Sequence, residues 1–72
     1  MTIQWLLPNN DMFTTTGVVP SKGETVIFID ALTDEARPWK VLNIVHTITV
    51  FRATEHEPAR TEQRCIVELT IP

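Results

Sequence analysis

Two long runs of β-forming residues, Trp39 to Phe51 and Gln63 to Ile71, separated by a polar stretch, constrain this chain more than any other feature. In the second run Cys65, Val67, Leu69 and Ile71 fall on one side of an extended strand. Arg64, Glu68 and Thr70 fall on the other, interrupted only by Ile66. This is a strand with one face against a core. The first run is apolar at both parities, with Trp39, Val41 and Val45 alternating with Leu42, Ile44, Ile48 and Val50. A straight strand of that length does not fit a small domain, so the run is expected to bend, and a strongly coiled strand serving two sheets explains why neither face is wholly polar.

Three shorter strands precede it. Ile3, Trp5 and Leu7 alternate with Thr2, Gln4 and Leu6 up to Pro8, and Pro8-Asn9-Asn10-Asp11 has the residues of a tight turn. Reversal into a strand over Met12 to Thr16 follows. Gly17 interrupts, Val19-Pro20-Ser21-Lys22-Gly23 makes a second corner, and Glu24 to Ile29 forms the third strand. Thr25-Val26-Ile27-Phe28-Ile29 is apolar on both faces, which predicts that a second surface covers it. The one candidate helix is a single turn near 33–36, capped by Thr33, running through Asp34, Glu35 and Ala36, and stopped by Pro38. Such a turn covers little, so the cover is expected from another copy of the chain or from a partner. Ala53 to Glu62 reads as a charged hairpin loop.

Five strands with minimal helix predict an all-β fold, a small five-stranded SH3-like barrel forming a single domain over residues 1–72. An OB-fold, which needs a real helix between its third and fourth strands, is the alternative. A domain of this size buries only roughly 60–65% of the surface its unfolded chain exposes, and small folds therefore borrow a disulfide, a metal or a partner subunit. The single cysteine, Cys65, excludes an intrachain disulfide. A homodimer is the expected remedy. Met1 to Leu7 has neither the basic stretch nor the apolar run of a signal peptide, and no segment is long enough to span a membrane as a helix, so a soluble cytoplasmic protein is expected.

The net charge of -3 and pI near 5.1 disfavour nucleic acid, although Lys40, Arg52, Arg60 and Arg64 would make a basic patch if paired strands gathered them on one face. Enzymatic signatures are absent from the pattern. Cys65 and His46 fall on strands that can pair, but Cys65 shares its face with Val67 and Leu69, where a thiol is ordinarily a small buried hydrophobe, and no third orienting group is evident. Glu55-His56-Glu57 lacks a second His or Cys spaced to complete a metal shell and reads as a solvated loop tip. Asp30, Asp34 and Glu35 read as a polar connection. With only Gly17 and Gly23, the chain holds no phosphate-cradling glycine loop. No catalytic residue, cofactor or metal is expected. Among the aromatic residues, most of which a small core consumes, Trp39 stands out because it follows Arg37-Pro38 at the start of a strand, and Arg with Trp is the pair enriched at interaction hot spots. Arg37, Trp39 and Phe51 are the expected interaction residues.

Pro20 with Gly23-Glu24-Thr25-Val26, then Trp39-Lys40-Val41, Val45-His46 and Ile66-Val67-Glu68-Leu69, resembles small one-barrel accessory proteins of bacteriophages and mobile elements. In those a Pro-x-x-Gly-Glu corner opens one strand and an aromatic-x-Val segment opens the next. The resemblance spans roughly residues 20 to 71 and names no activity; the amino-terminal hairpin and the loop from Ala53 to Glu62 depart from the compact pattern. It implies an accessory protein that binds and modulates a bacterial host protein. The expectation is therefore a non-enzymatic protein-interaction module, with a small nucleic-acid-binding β-barrel as the alternative.

Overall fold

The computed structural model describes residues 2–72, all but Met1. Five strands, β1 (Thr2–Leu6), β2 (Met12–Thr16), β3 (Thr25–Ile29), β4 (Ala36–Phe51) and β5 (Arg60–Thr70), form one sheet in the order β2-β1-β5-β4-β3. Every neighbouring pair is antiparallel except β1 and β5, which run parallel with Ile3 opposite Cys65 and Trp5 opposite Val67. The sheet curls into a half-barrel. The all-β, five-stranded expectation is met, and the described residues contain no helix.

The core lines the concave side, and the sequence alternation selects it. β1 contributes Ile3 and Trp5, with Leu7 just beyond; β5 contributes Cys65, Val67 and Leu69; β4 contributes Val41. Ile71, expected on the same side as Cys65, lies past the end of β5 and is exposed. The first turn forms as read. Asn10 adopts φ 70, a conformation asparagine tolerates, and Asn9 Oδ1 accepts from the Asp11 amide at 3.0 Å. At the second corner Gly23 takes φ 88 while its amide donates to the Val41 carbonyl at 2.9 Å.

Two strand starts move: β4 begins at Ala36, and β5 begins at Arg60 rather than Gln63, which takes Arg60 to Glu62 out of the expected loop because they pair with Thr49 to Phe51. The helical turn expected near 33–36 does not form. The Asp34 amide donates to the Asp30 carbonyl at 2.8 Å, closing one α-turn, but Asp34 sits at φ 56 and Asp30 Oδ1 takes the Leu32 amide at 2.8 Å. These bonds, one to a backbone carbonyl and one to a side chain, satisfy the backbone without a helix, so the chain reverses and β4 begins at Ala36 rather than Trp39. Pro38 is tolerated inside β4 because that stretch has only β3 beside it: β5 pairs from Lys40 onward. The bend expected in β4 is a β-bulge between Val41 and Asn43, but the strand does not pass between two sheets: it stays in the one sheet, and the bulge makes both parities apolar by exchanging the faces of the strand. Before it the odd residues Trp39 and Val41 point inward. Beyond it Ile44 lies opposite Val67 and His46 opposite Cys65, so the even residues do.

β1 reaches only as far as Arg64 along β5, and β3 only as far as Lys40 along β4. The remaining β4–β5 hairpin, Thr47–Phe51 with Arg60–Arg64, stands off the body as a two-stranded arm, and the molecule measures 52 × 27 × 22 Å.

Candidate interaction seam

The two edge strands, β2 and β3, curl toward each other without pairing. No Cα atom of β2 lies within 8 Å of one in β3, whereas hydrogen-bonded strands sit about 4.8 Å apart, so the edges are separated by more than a strand spacing. Side chains alone bridge the opening. Phe28 of β3 meets Phe13 of β2 edge-to-face at 5.7 Å between ring centroids and Trp5 of β1 at 6.0 Å. Trp5 is in turn fixed by its indole N–H, which donates to Thr15 Oγ1 at 2.7 Å, so β2 is held to the sheet by a side-chain bond as well as by its ladder with β1.

This seam opens into a cleft of about 720 Å³ whose apolar wall is made by Trp5, Phe13, Phe28 and Trp39. Its polar end carries Asp30, Glu35 and Arg37. The Arg37 guanidinium spends its reach on Glu35 Oε1, at 3.3 Å from Nε and 3.2 Å from Nη2, and both side chains are largely exposed. Among the described residues no cation pairs with Asp30, which leaves that end net negative. Strand alternation places Arg37 and Trp39 on the same side of β4, and the pairing of Arg37 with Phe28 and of Trp39 with Val26 aims both at the seam.

Of the three residues expected to form one interaction face, two come together. Phe51 does not join them, because the bulge turns it to the opposite face and the length of β4 carries it to the arm, where the Arg60 guanidinium lies 4.0 Å over its ring. Phe13 and Phe28 were legible only as core aromatics. Their part in the seam depends on which two strands become edges, for which the local sequence carries no signal.

The basic residues divide between the body and the arm. Lys40 is on the body, while Arg52, Arg60 and Arg64 are on the arm, with Glu62 bonded to Arg60 at 2.9 Å. Register does bring His46 opposite Cys65, but Cys65 is fully buried and desolvation pushes its thiol above the ordinary value, which disfavours the thiolate a nucleophile needs. Glu55, His56 and Glu57 follow Thr54, whose hydroxyl accepts from the His56 and Glu57 amides in a tight loop. Among the described residues no three His, Cys, Asp or Glu side chains group as metal ligands, and no helix is long and apolar enough to cross a membrane.

Comparison with protein-family models, curated proteins and solved structures finds no match, so the site is read from its geometry alone.

Proposed function

We propose that this chain is a non-enzymatic protein-interaction module, built on an SH3-like half-barrel, that takes an extended segment of a partner protein into the seam between β2 and β3. The observation that carries the reading is the seam itself: two unpaired edges held apart by more than a strand spacing, over a cleft lined by aromatic rings. Two successive strand spacings amount to about 9.6 Å, the separation at which a single added strand bonds to both edges, and the edges already stand more than 8 Å apart.

Direction follows from the topology. β2 and β3 run opposite to each other, so an inserted strand is antiparallel to one edge and parallel to the other. Its inward side chains meet Phe13, Phe28 and Trp39, and the net negative end at Asp30 and Glu35 favours a basic or neutral residue there. The same negative end disfavours a phosphate backbone. In the phage-type accessory role that the sequence resemblance suggests, the segment belongs to a bacterial protein.

Panning a library of linear peptides on the immobilised protein tests this. The expected result is an apolar, extended consensus whose binding is lost in Trp39→Ala while the circular dichroism of the variant stays native. Binding that survives Trp39→Ala, or capture of nucleic acid that dissolves steeply with salt and fails in Arg52 or Arg64 variants, would replace this reading with another.

A further inference from the structure

A different strand edge is exposed in a way that calls for a specific partner. Past the two backbone bonds that Val41 makes with Gly23 and Glu24, β4 has β5 on one side and, among the described residues, no strand on the other as far as Phe51. The sequence from Asn43 to Phe51 holds no Lys, Arg, Asp, Glu, Pro or Gly, which are the residues that ordinarily blunt a free edge. The inner face of this stretch continues the core outward through Ile44, and its Ile48 and Val50 remain 64% and 63% exposed. A two-stranded ribbon with one apolar face is marginal on its own in water.

The dimensions of the whole molecule say how much surface is missing a cover. A single chain of 8.2 kDa is expected to expose about 4,500 Å² when compact, and this one exposes 5637 Å², an excess of roughly 1,100 Å². Its radius of gyration is 15.6 Å against about 11 Å for a compact chain of this length. A stable dimer removes about 800 Å² from each partner, so the excess is of the size that one interface between two copies takes up.

We propose that the β4 edge from Asn43 to Phe51 pairs antiparallel with the same edge of a second copy, around a twofold axis at Thr47. Two constraints set this register. Paired residues must lie on the same face, so even residues oppose even and odd oppose odd. The regular part of β4 runs from the bulge to Phe51 and is centred on Thr47. Ile44 then faces Val50 of the second copy and His46 faces Ile48 on the inner face; Val45 faces Thr49 on the outer face, and the two Thr47 side chains face each other, a favourable cross-strand pair. The end of each arm reaches back to the bulge of the other copy, where the body supports it. No like charges meet along the paired edges at neutral pH. The seam between β2 and β3 is left free, so this pairing stands or falls separately from the proposed function.

Cross-linking combined with sedimentation equilibrium of the full chain tests it. The wild-type chain is expected at twice its 8.2 kDa mass at micromolar concentration. Thr47→Cys is expected to give a disulfide-linked dimer under mild oxidation, because directly opposed residues lie about 4.5–5.5 Å apart. Thr49→Cys is expected to give little, since its two copies are offset by about 13 Å along the strands. Thr47→Lys and Thr47→Glu should each weaken the dimer about fivefold, and mixing the two should restore it. Thr47 is exposed on the outer face, so the variants are expected to fold. A wild-type chain that sediments as a monomer overturns the proposal, even if some other protein covers the edge in a lysate. A dimer in which Thr49→Cys cross-links as well as Thr47→Cys overturns the register.

Discussion

Because β2 and β3 share no backbone bonds, the approach of the two sheet edges depends on the rings that span them, and a double-mutant cycle on Phe13 and Phe28 measures that dependence. Phe28 makes edge-to-face contacts with both Phe13 and Trp5, at 5.7 and 6.0 Å. Each such pair contributes about 0.5–1.5 kcal/mol beyond the area it buries. Phe28→Leu keeps most of the apolar volume and loses both contacts, so it should cost about 1–3 kcal/mol. In a domain of this size that corresponds to a fall in Tm of about 8–16 °C at the middle of the range. Phe13→Leu loses one contact and starts half exposed, so it should cost about 1 kcal/mol. The two rings touch, so the effects should not add: urea unfolding of wild type, both single variants and the double variant, at one protein concentration, should give a coupling of about 0.5–1.5 kcal/mol. A coupling indistinguishable from zero would refute the claim that these rings hold the edges together.

Cys65 is fully buried and desolvation raises its thiol, so alkylation at mildly alkaline pH should be slow in the native protein and fast in urea; equal rates would contradict the burial. The raised value also sets a pH dependence. The folded state holds its proton above the ordinary value of 9.0 while the unfolded chain loses it, so stability from this group is complete below that pH and falls as pH rises beyond it, and Cys65→Ala should flatten the fall in alkaline urea titrations. Gly23 at φ 88 has open space where a Cβ would go, so Gly23→Ala should cost about 1–2 kcal/mol from backbone strain alone, and Gly23→Asn less; equal stability of all three chains would remove the argument.

The strands were legible because their signals are local. Alternation in Ile3-Gln4-Trp5 and in Cys65-Ile66-Val67 names the buried face directly, and Pro8-Asn9-Asn10-Asp11 names the turn between β1 and β2. The doubly apolar character of the long strand forecast a bend, which the bulge at Val41 and Asn43 supplies. The segment from Asp30 to Glu35 misled because capping residues and turn residues are the same types; the Asp30 carboxylate and the Thr33 hydroxyl bond their own loop, and a left-handed Asp34 forbids the helix. The site was half visible. Arg37 and Trp39 sit two apart on one strand, so a sequence pattern can join them, whereas separating them from Phe51 requires the bulge to be placed to the residue. That β2 and β3 end as opposed edges depends on the whole strand order, including the parallel pairing of β1 with β5, which no local pattern encodes. Ile27 and Ile29 on the outer side of β3 are exposed, and no described residue covers them.

Residue-resolved amide hydrogen exchange, followed as protein concentration is raised, tests most directly the claim that the edges left unbonded by the curled sheet are the working surfaces. The outward amides of β4 between Asn43 and Phe51 should gain protection with concentration. Those on the free edges of β2 and β3 should stay fast until an extended peptide is added. Protection of the β2 and β3 edges in the protein alone would mean the seam is already closed, and unprotected β4 amides at the highest concentration would mean that no second copy pairs there.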